Sequence, residues 1–127
     1  MKAVWIGSSI LLPALIFSSH ACAQPAFNGK NQYLDHCASC HGTDGKGDGP
    51  VAKVLSRTPT DLTKLSEVNN GVFPSERLYE VIDGRREMWA HGTREMPVWG
   101  LSARVSPALT RARIRAVVDY LATLQGK

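Results

Sequence analysis

Apolar residues recur at helical spacing near the C-terminal end of the chain. They follow one another at i, i+3, i+4, i+7 and i+10, which places them on one face of a helix. These positions are Ile114, Val117, Val118, Leu121 and Leu124. The pattern predicts a C-terminal amphipathic helix whose apolar stripe packs against the core. Three arginines precede or flank this stripe, and we interpret them as a solvated face: Arg111, Arg113 and Arg115.

Three further segments are predicted to be helical, and no segment is predicted to be a strand. One helix runs from Asn28 to Cys40, and a short one covers residues 60–66. Another begins at Ser75, a residue type that caps helices, and is stopped by Gly84. Residues 41–50 hold four glycines and are predicted to form a loop. The sequence therefore predicts an all-α fold of three to five short helices.

The N-terminus has the organisation of a signal peptide. Lys2 is followed by 27 residues without formal charge, including a strongly apolar block at positions 10–17. Ala21 and Ala23 supply the small residues of a cleavage site. We expect residues 1–23 to be a signal peptide cut after Ala23, which leaves residues 24–127 as a single periplasmic domain. The alternatives are a retained membrane anchor, for which the apolar stretch is short, and lipid attachment at Cys22, where the preceding residues lack the usual leucine.

Composition narrows the class of protein. The chain has 43% apolar and 20% charged residues and a formal net charge of +4, which is typical of a globular domain without a long disordered tail. With Lys2 removed, 14 basic residues face 11 acidic ones, and the net charge of +3 is too weak and scattered for a nucleic-acid binder. A domain of about 100 residues has a modest core, which an internal cofactor would help to fill.

The candidate chemistry is concentrated in one short motif. Cys37 and Cys40 are followed directly by His41, which is the pattern for covalent haem attachment. Residues three apart on a helical turn share a face, so both thiols can form thioethers with the two vinyl groups on one edge of a porphyrin. His41, four residues after Cys37, then lies beneath the ring as an axial ligand of the iron. We expect one covalently bound haem c.

Three other uses of the motif are weighed against haem attachment. A zinc site needs two more ligands, and the chain has no second cysteine pair. A dithiol redox site does not require a histidine at position 41. A disulfide across two intervening residues is strained and uncommon. Haem attachment is therefore the favoured interpretation.

The second axial ligand decides what the iron can do. A strong protein ligand on both sides leaves only electron transfer, whereas an open position permits gas binding or peroxide chemistry. Met96 is our candidate because Pro97 and Gly100 keep its segment out of regular helix, in a loop that can wrap the haem. A thioether is also a good partner for ferrous iron. The rival candidates are Met88, which we interpret as a core residue, and His36 and His91.

Two kinds of side chain are candidates for the haem propionates. Trp99 follows Met96 closely, so we expect it to pack near the haem and to hydrogen-bond a propionate, with plain core packing as the alternative. Buried carboxylates also need charged partners. Four arginines could provide them, and the sequence does not choose among them: Arg57, Arg85, Arg86 and Arg94.

Taken together, these residues resemble a small bacterial class I cytochrome c, with one haem held between histidine and methionine. The resemblance covers nearly all of residues 27–124. In that family an N-terminal helix crosses a C-terminal helix at a glycine, and an aromatic residue follows one turn later. Gly29 and Tyr33 stand eight and four residues before Cys37, as the family pattern asks. Their counterparts on the C-terminal helix would be Val117 and Tyr120.

The resemblance also implies a partner for the ligating histidine. In the family, a proline carbonyl accepts a hydrogen bond from the other ring N–H and fixes the orientation of the imidazole. Pro59 is our candidate for this role, with Pro50 in reserve.

The function implied by the resemblance is that of a one-electron carrier and not of an enzyme. We expect a monomer in the periplasm that exchanges electrons with redox-protein partners, without nucleic acid and without stable membrane insertion once the leader is cut. The alternatives are a dedicated electron-transfer subunit of one dehydrogenase or oxidase, and a haem enzyme or gas sensor with an open iron site. Four lysines form the candidate partner surface, unless they serve solubility alone: Lys30, Lys46, Lys53 and Lys64.

Overall fold

The computed structural model describes residues 27–84 and 106–126, and these form helices joined by loops. The helices are α1 (Gly29–His36), α2 (Ala38–His41), α3 (Ser75–Asp83) and α4 (Pro107–Ala122). Short 3-10 segments lie between α2 and α3, at Ala52–Val54, Leu62–Lys64 and Glu67–Asn69. No strand occurs in the two described ranges. The predicted all-α class is confirmed.

The predicted N-terminal helix is divided at the first cysteine. The Asn28 side chain caps α1 by accepting a hydrogen bond from the Asn31 amide at 3.0 Å, which satisfies a donor that has no partner within the helix. α1 ends at His36, and Cys37 forms the junction with α2 at φ −119°. The prediction of one continuous helix to Cys40 is therefore wrong at Cys37, where the backbone leaves regular helical geometry.

The crossing of α1 and α4 depends on close approach at Gly29. A Cβ atom at Gly29 would overlap the backbone carbonyl of Ala116 and lie 3.0 Å from the Tyr120 Cβ. One turn along α1, the ring of Tyr33 lies 5.4 Å from that of Tyr120 at an interplanar angle of 50°. The predicted crossing and the role of Tyr120 are confirmed. The prediction of Val117 as the residue opposite Gly29 is wrong. The carbonyl of Ala116 faces Gly29, and Val117 is buried in the core instead.

The apolar stripe of α4 is buried as predicted. Its buried members are Ile114, Val117, Val118 and Leu121, and Leu124 is partly buried just beyond the helix. α3 packs against this helix and contributes Tyr79 and Ile82 to the same core. Gly84 ends α3 with the left-handed conformation that glycine adopts readily, at φ 81°. Both predicted boundaries of α3 are confirmed.

The arginines of α4 differ in their surroundings. Arg111 and Arg115 are exposed, in agreement with a solvated face. Arg115 also forms an ion pair with Glu76 of α3 at 3.0 Å and lies over the ring of Tyr79 at 5.2 Å. Arg113 departs from the prediction, because its guanidinium covers the ring of Phe27 at 5.1 Å and its Nε atom is buried.

Several predicted features lie outside the described residues. They are the signal peptide at residues 1–23, the candidate ligand Met96 with its rivals Met88 and His91, Trp99, and the arginines Arg85, Arg86 and Arg94. Among the helices that the structure does describe, none combines the length and the apolar character needed to cross a membrane.

Candidate haem-binding site

The two cysteines and the histidine project from one turn of backbone. The amides of Cys40 and His41 both donate to the carbonyl of Cys37, at 3.2 and 3.0 Å. Positions i, i+3 and i+4 of such a turn share a face, so the side chains of Cys37, Cys40 and His41 leave the backbone on the same side. The two cysteines are free thiols. This arrangement matches the prediction from the sequence motif.

The surroundings of Cys37 favour a neutral thiol. The side chain is half-buried against the hydrophobic core, and this burial, together with the nearby Cys40, raises the pKa of the thiol to about 11. Dithiol oxidoreductases and zinc sites use the thiolate, which low-pKa surroundings stabilise. No group of three metal-binding side chains occurs within residues 27–84 and 106–126. A neutral, half-buried thiol at Cys37 is compatible with attachment to an apolar ring edge.

The glycine-rich loop folds back onto α2 and supplies hydrogen bonds to its last carbonyls. The amides of Gly47, Gly49 and Val51 donate to the carbonyls of His41, Cys40 and Ser39, at 2.8, 3.1 and 3.0 Å respectively. These carbonyls lie at a helix end and have no partner within the helix. A Cβ at Gly49 would come within 2.6 Å of the Ala38 carbonyl oxygen, so only glycine permits this approach. The predicted loop at residues 41–50 is confirmed, and it fixes the turn that carries His41.

The imidazole of His41 is oriented by a backbone carbonyl. Its Nδ1 atom lies 3.1 Å from the carbonyl oxygen of Thr60. A carbonyl can only accept, so Nδ1 carries the hydrogen and Nε2 is the nitrogen that would ligate iron. The prediction of Pro59 for this role is wrong by one residue. The reason is that the Pro59 carbonyl oxygen faces Gly47 of the glycine-rich loop instead.

Tyr33 fixes the residue that follows the histidine. Its side chain is fully buried, at 0% exposure, and its hydroxyl donates to the Gly42 carbonyl at 2.6 Å. Burial, with a smaller contribution from Cys37, raises the pKa of this phenol above its usual range, so the hydroxyl remains a donor. Tyr33 therefore has a second role, beside its predicted place at the helix crossing.

We expect Tyr33→Phe to lower the free energy of unfolding by about 1 kcal/mol, because the Gly42 carbonyl loses its buried donor. The packing of the ring is retained and does not contribute to this loss. Chemical denaturation of the haem-loaded protein measures this difference. Tyr120→Phe is the control, since it removes a hydroxyl from the other ring of the pair. A loss for Tyr33→Phe no larger than that of the control would contradict the role of the hydroxyl.

The 3-10 segment after Thr60 is stabilised by hydrogen bonds from side chains that were not predicted to have this role. The Asp61 carboxylate accepts from the Thr63 hydroxyl at 2.6 Å and from the Thr63 amide at 2.9 Å, and these bonds, the hydroxyl first, lower the pKa of Asp61. Gln125, beyond α4, is hydrogen-bonded to the same segment. The predicted helix at 60–66 is shortened to Leu62–Lys64. An aspartate directly before Leu62 is a residue type that caps helices, so its role could have been predicted. Nothing near Gln125 in the sequence indicates that its side chain contacts this segment.

The donor set fits a covalently attached haem. It offers two free thiols on one face of a turn, a histidine next to them, and a carbonyl that holds Nδ1 so that Nε2 faces away. An all-α domain with this turn between two crossing helices defines a class of haem-carrying proteins.

Comparison with known proteins agrees with this class. The family model for cytochrome c matches residues 26–125, so the chain belongs to the cytochrome c family. Membership implies haem-based electron transfer and covalent haem c, and the spacing of Cys37 and Cys40 fits the attachment motif. No curated protein and no solved structure matches the chain.

Proposed function

We propose that this protein is a periplasmic one-electron carrier with a single haem c. The observation that carries the proposal is the turn at residues 37–41, whose histidine is oriented by the Thr60 carbonyl at 3.1 Å. When bound, the haem supplies an iron centre that alternates between the ferrous and ferric states. The predicted signal peptide at residues 1–23 supports export, as does the agreement between covalent haem attachment and a periplasmic location.

Each residue of the turn has a defined task in this proposal. Cys37 and Cys40 would hold the porphyrin, each through the C–S bond that forms when its S–H adds across one vinyl group, without an oxidant. His41 would ligate the iron through Nε2, and the Thr60 carbonyl would keep Nδ1–H in place so that the ring does not rotate when the oxidation state changes. A ligand that stays fixed in both states keeps reorganisation small, which suits rapid electron transfer.

Met96 is proposed as the second axial ligand and Trp99 as a propionate partner. A methionine as the second protein ligand would close the iron site and raise the reduction potential relative to two histidines. The support comes from the sequence, in which Pro97 follows Met96 directly and Gly100 comes shortly after. The test of this ligand also separates a carrier from a haem enzyme or gas sensor.

We expect Met96→Ala to abolish the weak band that ferric haem with methionine sulfur shows at the red end of the visible spectrum, and to lower the reduction potential. The ferrous variant should bind carbon monoxide rapidly, because its sixth position is open. Met88→Ala is the matched control and should change neither property. If the wild-type protein lacks the band and binds carbon monoxide rapidly, the carrier proposal is wrong. If Met88→Ala abolishes the band, the ligand is Met88.

The partners are proposed to be other redox proteins, met by a monomeric carrier. Lys30, Lys46, Lys53 and Lys64 are all exposed, as a surface that meets acidic partners requires. Two propionates lower the net charge of the mature domain, so attraction to a partner depends on such local groups. Size-exclusion chromatography of the haem-loaded protein tests the monomer, and a stable complex with one enzyme would favour the dedicated subunit.

A further inference from the structure

The C-terminal end of the chain is hydrogen-bonded to the segment that follows Thr60. The side-chain amide nitrogen of Gln125 donates to the carbonyls of Leu62 and Leu121, each at 2.8 Å. Its side-chain oxygen accepts from the Ser66 amide at 2.9 Å. Both amide hydrogens and the side-chain oxygen therefore form hydrogen bonds. This one side chain joins the end of α4 to Ser66 and Leu62, which precede it in sequence by 59 and 63 positions respectively.

A backbone hydrogen bond strengthens this connection. The amide of Gly126 donates to the Thr63 carbonyl at 3.1 Å. We call Gln125 and Gly126 the C-terminal clamp. A further hydrogen bond runs from the Leu62 amide to the carbonyl of Gly45 in the glycine-rich loop, at 2.6 Å. Residues 62–66 are thus held by both the clamp and the loop, and they begin two residues after the carbonyl that orients His41.

We propose that Gln125 is a positioning residue for His41. By fixing residues 62–66, it sets how firmly the Thr60 carbonyl holds Nδ1–H. A hydrogen bond to this N–H raises the basicity of the imidazole, and a more basic ligand stabilises ferric iron. The end of α4 therefore tunes the ferric–ferrous equilibrium without contacting the histidine. This inference rests on the proposed role of His41 as an axial ligand.

Two substitutions in the haem-loaded protein test the clamp. Gln125→Glu keeps the length of the side chain and an acceptor for the Ser66 amide, but it places an oxygen against the carbonyls of Leu62 and Leu121. Gln125→Met keeps a similar volume and removes all three hydrogen bonds. Asn69→Ala is the matched control, because it removes a bond of the same kind, from the Asn69 side chain to the Val72 carbonyl at 2.8 Å, outside the clamp.

We expect the solvent exchange of His41 Nδ1–H, followed by NMR in the ferrous protein, to be about tenfold faster or more in both Gln125 variants, because each loses at least two hydrogen bonds that oppose local opening. The ferrous fraction at a fixed electrode potential should rise in Gln125→Met, which removes the hydrogen bonds without adding a charge. Asn69→Ala should change neither. If the Gln125 variants only lose thermal stability, as the control does, Gln125 is a structural residue and the inference is wrong.

A measurement on the wild-type protein tests the same inference without a variant. If the clamp and the histidine open together, the amides of Ser66 and Gly126 and the Nδ1–H of His41 share one opening free energy in hydrogen exchange. Clearly different values would overturn the inference. The ring-proton shifts of His41 separate this from the proposed function. Strong haem ring-current shifts in the ferrous protein support ligation by His41, and ordinary shifts refute it whatever the clamp does.

Discussion

Replacing either Cys37 or Cys40 by alanine is expected to lower the yield of haem-loaded protein on the order of tenfold in cells that attach haem in the periplasm. Each variant keeps one thiol and can form at most one thioether. A haem would fill part of the core of a small domain, so we expect folding to be coupled to cofactor capture and partly unfolded chains to be removed by proteases. The double variant should carry no covalent haem. Intact-protein mass spectrometry gives the haem content directly.

The matched control for this experiment is Ser39→Ala. Ser39 lies between the two cysteines in α2, is exposed, and has its hydroxyl 3.9 Å from the Cys40 sulfur. Its backbone carbonyl, which accepts from Val51, is unaffected by the substitution. We expect wild-type haem content and yield for this variant. The attachment hypothesis is wrong if Cys37→Ala carries the normal amount of covalent haem. It is also wrong if the measured mass of the wild-type protein does not include a haem.

The local elements of the fold were predictable because their signals lie within a few residues. The stripe from Ile114 to Leu121 has helical period, and Gly84 ends α3 in the left-handed conformation of a helix C-cap. The turn at residues 37–41 could be predicted because residues three and four positions apart share one face of a helical turn. In each case the physical cause is short-range, so the sequence alone contains it.

The features that were missed depend on contacts between distant segments. Pro59 and Thr60 present carbonyls one residue apart. Which of them meets His41, 19 residues before Thr60 in sequence, depends on how the glycine-rich loop packs. Ala116 and Val117 differ by about 100° around α4, so the crossing geometry with α1 decides which faces Gly29. A lone glutamine near the C-terminus has no local signature, since its partners at Leu62 and Ser66 are brought there only by the complete fold.

The positions of the two crossing helices and of the haem turn are linked through a few side chains. Gly29 sets the separation of α1 and α4, Tyr33 connects α1 to Gly42, and Gln125 connects the end of α4 to the segment after Thr60. The surroundings of His41 are therefore fixed by the same contacts that join the termini. Disturbing the crossing should affect the histidine as well as the stability.

We expect Gly29→Ala to lower the free energy of unfolding by about 2–3 kcal/mol, measured by denaturant titration of the haem-loaded protein, because the new methyl group must displace backbone in a packed interface. Its Cβ would overlap the Ala116 carbonyl, and a backbone carbonyl in the middle of α4 cannot move aside as a flexible side chain can. If Gly29 were only a flexible residue at the start of α1, alanine would instead stabilise the helix by up to about 1 kcal/mol. The sign of the change therefore decides between the two explanations.

Gly71→Ala separates overlap from backbone strain. Gly71 has φ of 84°, and nothing lies within 4 Å of a Cβ placed there, so its substitution should cost about 1–2 kcal/mol from the left-handed conformation alone. Gly29→Ala should in addition disturb the packing of Tyr33 against Tyr120 and change the near-ultraviolet circular dichroism, which Gly71→Ala should leave as in the wild type. Equal or greater stability of Gly29→Ala would mean that α1 and α4 do not approach as closely as this crossing requires.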